Sequence, residues 1–325
     1  MEPTAAVRAS CERVMADARS VSIVGSALEA LAEDMVGDSS RALKIKGVAW
    51  DASGWHYCKD ASEQGALTCQ YVFVLDALNF CFWPSSTGIE YDSIAVALKN
   101  VLEADPEAFS AARLSVITAQ ELAAWLPAHH LPEAEERAER LNELGLVLQA
   151  RFNGLAANMV SAAAGSAVTL VNLVLQHLPG FRDTCIYRGR LVHLYKRAQI
   201  LVGDVWAAYG KCGADCGHPY GFRDMDQLTM FADYRVPQLL RHFGVLAYDA
   251  ELAADVDALR EVPFGSPQEV EIRAATVVAV ERLRGELMKR GLELLVVEVD
   301  WLLWQMGEES KDRICPHHRT RTVYY

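Results

Sequence analysis

At 325 residues, with 51% hydrophobic side chains, the chain is long enough for one large domain or two small ones and has ample material for a core. A formal net charge of −12 and a sequence pI near 5.2 argue against a surface that grips nucleic acid through its phosphates, since that requires a basic stripe. Small-molecule chemistry is the better default, with no direct tRNA or DNA binding expected.

Residues 5 to 37 place apolar side chains at helical spacing, with Val7, Cys11, Val14 and Met15 on one stripe and Ile23, Leu28, Leu31 and Met35 on the next. This is scaffold. Residues 47–56, rich in glycine and aromatics, read as a loop or short strand. His56 falls between aromatics, either as a pocket wall or as a hydrogen-bonded structural histidine. Tyr71 to Leu75 is a continuous apolar run that periodicity cannot assign to strand or helix. On a helix, Asp76, Asn79 and Trp83 would share a face at i, i+3 and i+7, suited to a flat heterocycle; the plainer alternative is that Asp76 and Asn79 satisfy nearby backbone.

Thr118-Ala119-Gln120-Glu121 is a capping box opening a helix through Leu126, and Pro132 starts another with acids in its first turn. The charge run from Glu133 to Arg140 reads as a solvated helix face. Leu155 to Leu175 is uncharged and long enough to span a bilayer, but it is built from Ala, Gly and Ser with Asn158 and Asn172 inside, and it has no basic flank. It reads as a buried helix, or as two broken near Gly165, and no membrane partner is expected. Leu178-Pro179-Gly180 makes a turn.

Apolar positions from Leu191 to Tyr209 keep helical spacing and predict one long core helix. Lys196 and Arg197 lie off its stripe, where they read equally well as an anion site or as surface ion pairs. Cys212, Cys216 and His218 are closely spaced, but a structural zinc site needs four ligands and no companion pair stands out, so neither metal nor cofactor is expected. Residues 209–222 read instead as a glycine-rich loop able to close over a ligand. Ser266-Pro267 predicts a capped helix start running to about Leu287. Residues 294–304 are apolar around Glu298 and Asp300, acids that must be paired if buried. The eight cysteines have no framework spacing and Met1-Glu2-Pro3-Thr4 begins no targeting signal, which points to a reducing compartment, the cytosol or nucleus.

The chemistry concentrates in residues 221–240, which hold Asp224, Asp226 and Asp233 beside Phe222, Phe231 and Tyr234. Proline is tolerated in a helix only in the first turn, so a helix holding Pro237 starts near Asp233. That puts the Asp233 carboxylate at the positive end of a helix dipole.

Residues Leu228 to Pro237 look like the signature of the queuosine salvage proteins, the queuosine 5′-phosphate N-glycosylases that free queuine from the nucleotide. Four other stretches resemble the same family: Asp76 to Trp83, Phe181-Arg182-Asp183 with Tyr187 to Arg190, Tyr195 to Leu201, and His317 to Arg321 with Tyr324-Tyr325. A weaker likeness is to helix-hairpin-helix DNA glycosylases, whose catalytic aspartate opens a helix as Asp233 would here. The resemblance implies a mainly α fold, one compact helical domain over 1–325 similar to those glycosylases, with a few short strands and a tail tucked into the body.

It also implies a hydrolase whose Asp233 stabilises an oxocarbenium-like sugar. The leaving base carries carbon where guanine has N7, so it must be stabilised through its other edges. Asp224 or Asp226 would meet N1–H and N2–H₂, although Asp224 reads as well as a helix cap. Phe222, Phe231 and Tyr234 are candidates to sandwich the base, with His56, Asp76 and Asn79 nearby, while Lys196 and Arg197 would hold the 5′-phosphate. The expected partner is the nucleotide itself. The rivals are a non-catalytic module that binds a modified base and a DNA-repair glycosylase.

Overall fold

Most of the chain follows the helical periodicity it carries: fourteen α-helices stand among the described residues, against two two-stranded sheets. The structure, a computed structural model, describes residues 2–40, 46, 50–84, 88–126, 128 and 130–325. The predicted loop or strand at 47–49 therefore lies outside the described residues, while 51–56 form turns.

Two hydrophobic cores organise the helices. One surrounds Ala66–Leu78, which is buried along nearly its whole length, and takes in Tyr91–Ala104, Ala134–Arg151, Ala167–His177 and Lys196–Ala208. Its burial on every side explains why Tyr71 to Leu75 show no polar face. The second surrounds Pro267–Lys289 and joins it to Pro3–Asp17, Gly25–Gly37, Arg235–His242 and Val296–Ser310. Residues 228–234 run between them without regular structure: Phe231 packs into the first core, and Met230 and Ala232 into the second.

Several local signals hold. Ser266 caps Pro267–Lys289 by accepting from Glu269 N, and Thr118 and Glu121 form the capping box of Ala119–Ala124. The uncharged run folds as Ala156–Ala162 and Ala167–His177, parted at Gly165, whose φ of +73° favours a residue without a side chain. No helix among the described residues is long and apolar enough to cross a membrane.

Four expectations are corrected. Ile23 lies in the strand Val21–Ile23, paired antiparallel with Leu246–Tyr248, and not on a helical stripe. Three residues are too few to show a period of two. The long helix from Leu191 is divided: Arg190–His193 is a strand paired with Thr184–Tyr187, and the helix itself is Lys196–Ala208. The turn between those strands needs positive φ at two successive residues, which Arg188 (47°) and Gly189 (74°) supply. Ala66–Leu78 ends before Asn79, so Trp83 leaves the face it was expected to share with Asp76 and lies against Arg319. Within the run 133–140, Arg137 is fully buried; its guanidinium donates to the carbonyls of Pro132, Leu78, Phe80 and Cys81 and fixes the loop after Ala66–Leu78.

The tail is tied into the body. Val262 N donates to Arg319 O and Cys81 N to Tyr325 O, both at 2.8 Å, and Tyr325 Oη donates to Glu269 at 2.9 Å.

Candidate active site

Pro237 is the third residue of Arg235–His242, where its missing N–H leaves no helical bond unmade. The amides of Arg235 and Val236 both donate to Asp233 Oδ1 at 3.0 Å, which seats this carboxylate at the positive end of the helix. Asp233 borders a cavity of about 930 Å³. That volume suits a nucleotide-sized ligand.

Helical spacing builds two of the cavity's walls. Lys196, Ile200, Asp204 and Ala207 line it from Lys196–Ala208, and Asp300, Trp301, Trp304 and Glu308 line it from Val296–Ser310. Phe231, Asp233 and Tyr234 face it from the segment between the two cores, and Asn79, His56, Trp50, Tyr91, Lys211 and Tyr325 complete the parts that matter below. Gly203 makes the Phe231 position available, since a Cβ there would stand 3.0 Å from the ring tip. Trp50 stacks on His56 with centroids 4.0 Å apart, and His56 Nε2 shares a 2.8 Å hydrogen bond with Tyr91 Oη.

Charge at the cavity floor is lopsided. Asp233, Asp300 and Asp204 are buried, with Asp76 a layer behind them, and Lys196 is the buried cation that lines the cavity with them. Lys196 Nζ donates to Asn79 O at 3.3 Å. Burial raises the Asp233 carboxyl above its ordinary value, while Lys196, the amides and the Arg235 charge pull it down. Asp300 lies well above the carboxylate range, pushed by burial and by the Asp233 charge, against the Phe231 amide and Lys196. Asp204 is likewise raised well above, by burial and then by Asp76. Burial lifts Asp76 to about 7, opposed by Lys196, Asn79 and Arg197, and its Oδ2 has no hydrogen-bond partner. His56 is lowered to about 4, so it is neutral at physiological pH. Carboxyls pushed unequally upward around one site can divide into an anion and a proton donor.

Four residues singled out in the sequence stand elsewhere. Asp224 accepts from Ser166 Oγ and Ala167 N, each at 2.6 Å, and so closes the start of Ala167–His177. Asp226 is exposed and bonds Gln227, and Phe222 is buried in the first core, with its amide on Cys212 O. A short 3₁₀ turn at Met225–Gln227 carries all three away from Asp233. Arg197 sits beside Lys196 in sequence but points from another face. It donates to the carbonyls of Asp76, Ala77 and Gly180 and lies over Phe80 and Phe181, so it braces the fold. The cavity residues passed over include Asp204, Asp300, Trp301, Trp304 and Lys211. Their signal was present: a lone acid, Asp204, within the apolar helix Lys196–Ala208, and Asp300 inside the apolar run 294–304, with indoles one and four residues after it.

The fold and cavity define a helical protein with a concave ligand site, in which acidic groups of unequal proton affinity face aromatic walls. Such a site fits a flat, polar heterocycle and acid–base chemistry. Comparison with known proteins makes this specific. The family described as "Queuosine salvage protein" matches residues 56–325, and the chain belongs to that family. It is 42% identical over 330 residues, all of both chains, to the queuosine 5′-phosphate N-glycosylase/hydrolase of Dictyostelium discoideum. Proteins of the same description are 44% identical in Sphaerobacter thermophilus, over 78% of this chain and 80% of that one, and 32% identical in Mus musculus, over 85% and 88%.

Proposed function

We propose that this chain hydrolyses the N-glycosidic bond of queuosine 5′-phosphate and frees queuine, with Asp233 as the catalytic carboxylate. The observation that carries the reading is Asp233 at a helix N-terminus: Oδ1 takes two amides, and the residue borders a nucleotide-sized cavity beside Lys196. Oδ2, which takes neither amide, meets the positive charge that develops at the anomeric carbon as the bond to the base lengthens. Water then adds to that carbon and releases a proton, which ends on the departed base, or restores Asp300 where that group has already protonated the base.

The departing electron pair must be received by a base with carbon in place of N7. Asp300, whose proton affinity is raised by burial and by the Asp233 charge, supplies a hydrogen bond or proton to it. Asp204 takes the place first given to Asp224 or Asp226 at the base's N1–H and N2–H₂ edge, and Phe231, Trp301 and Tyr234 supply flat apolar faces. Lys196, ringed by carboxyls, opposes the rise that burial imposes on Asp233 and so favours its anion. Lys211, 5.3 Å above the Trp301 ring, is assigned to the 5′-phosphate.

We read residues 1–325 as one domain, because the tail bonds Cys81 and residues 230–232 alternate between the two cores. An aspartate opening a helix is also the basis for likening the fold to helix-hairpin-helix DNA glycosylases. Eight free cysteines agree with a reducing compartment, which we read as the cytosol or nucleus, and we take the partner to be the free nucleotide, without tRNA, DNA or membrane. Purified protein incubated with queuosine 5′-phosphate tests the reading. Free queuine with ribose 5-phosphate is the expected product; tight binding without release would instead make this a carrier.

A further inference from the structure

Pro267–Lys289 carries an arginine that the chemistry above does not touch. Arg273 has no exposed side-chain surface and is absent from the cavity wall. Its two terminal nitrogens donate to Asp183 Oδ1 and Oδ2 at 3.0 and 2.6 Å, its Nε donates to Ala232 O at 3.0 Å, and its plane lies 4.0 Å from the Tyr325 ring centroid. Every one of these contacts leads to the cavity within a residue. Asp183 Oδ2 also accepts the Lys196 amide at 3.2 Å, and the Asp183 carbonyl accepts Leu194 N and Tyr195 N at 3.1 and 3.2 Å. Those bonds brace Tyr195 in a left-handed conformation, φ +52°, which sets where the helix begins and how Lys196 leaves it. Ala232 is the residue before Asp233. Tyr325 lines the cavity itself.

We propose that Arg273 is a positioning residue that fixes the spacing of Lys196 and Asp233. The proposal rests on the catalytic reading of Asp233. A guanidinium can serve it because its donors are set in one rigid plane, so the three attachments are made together and cannot shift independently. A lysine at the same place keeps the charge beside Asp183 and Glu269 but cannot reach a carboxylate and the Ala232 carbonyl with that geometry. Misplacement of a catalytic group by even a fraction of its reach is costly, because proximity is realised only near the productive geometry.

The test is Arg273→Lys, with Asp183→Asn as the second variant should the first not fold. For either, kcat on queuosine 5′-phosphate should fall about tenfold or more while KM and the Kd for queuine stay within about threefold. The acidic limb of the kcat profile should move to higher pH, since Lys196 no longer holds Asp233 down as firmly. Combined with Lys196→Ala, the Arg273→Lys change should cost less than about threefold further, because two changes acting through one contact are not additive. Wild-type kcat in a folded variant, an unmoved acidic limb, or fully multiplicative losses with Lys196→Ala would overturn the proposal. Absence of queuine release by the unmodified chain would instead reject the catalytic reading, and the two failures are read from different samples.

Discussion

The backbone N–H of Phe231 donates to Asp300 Oδ1 at 3.0 Å, tying the segment that carries Asp233 to the helix that forms another wall of the cavity. The bond occupies one oxygen of Asp300, and burial together with the Asp233 charge raises the group's proton affinity well above that of an ordinary carboxyl. On the proposed reading the two carboxyls take different roles.

Asp300→Asn keeps an oxygen for the Phe231 amide but has no proton to give. Its kcat should fall by about 10²- to 10⁴-fold with little change in KM, the usual size of a general-acid effect. The sign of the pH dependence follows from the raised pKa: the protonated form is present below it, so wild-type kcat declines as pH rises through it. The variant should lack that basic limb. A folded variant with wild-type kcat, or with the limb unchanged, contradicts the assignment.

Lys196 and Lys211 should separate kinetically. Lys211→Ala should raise KM for the 5′-phosphate more than for the nucleoside, by about tenfold if a charge-assisted contact is lost. Lys196→Ala should lower kcat on both by similar factors. The reverse pattern would return the phosphate to Lys196.

How much of this was legible follows from the range of each signal. Pro237 located the start of a helix, Arg235, to within two residues, because the constraint proline imposes is local, and the amides of Arg235 and Val236 fall on Asp233. The capping pairs at Thr118 and Ser266 were readable for the same reason. Nearness in sequence misled where the chain turns: Asp224 and Phe222 lie close to Asp233 along the chain and belong to other packing units. Arg197 was misplaced because successive helical residues point about 100° apart, so Lys196 reaches the cavity while Arg197 reaches Phe80 and Phe181. Asp204 and Asp300 come from helices nearly a hundred residues apart, and only the fold brings them to one cavity.

Asp224→Ala tests the corrected placement. Loss of the bonds to Ser166 and Ala167 should cost about 1 kcal/mol of stability, as for a helix cap, with kcat and KM on queuosine 5′-phosphate unchanged. A selective rise in KM would put Asp224 back at the base.

Stability should respond to pH through two buried groups with opposite signs. His318 is lowered by burial from 6.5 to about 3. As pH falls from about 6.5 toward 3 the unfolded chain takes up a proton that the folded chain refuses, so stability is lost in that window. Asp76 is raised from 3.8 to about 7, so the folded chain holds the extra proton, and stability from this group is lost as pH rises from about 4 through 7. In thermal melts, His318→Gln should be less sensitive to acid than the parent and Asp76→Asn less sensitive to alkali. Parallel melting curves for parent and variant across both windows contradict the corresponding assignment.

The most direct measurement is single-turnover release of queuine by Asp233→Asn. The amide oxygen of asparagine can still accept from Arg235 N and Val236 N, so the helix start and the cavity should persist and queuine should bind with a Kd within about threefold of the parent. Release should fall by about 10³-fold or more, because the group lost is the charge that faces the developing cation. A folded Asp233→Asn that binds queuine and releases it at the parent rate would contradict the account.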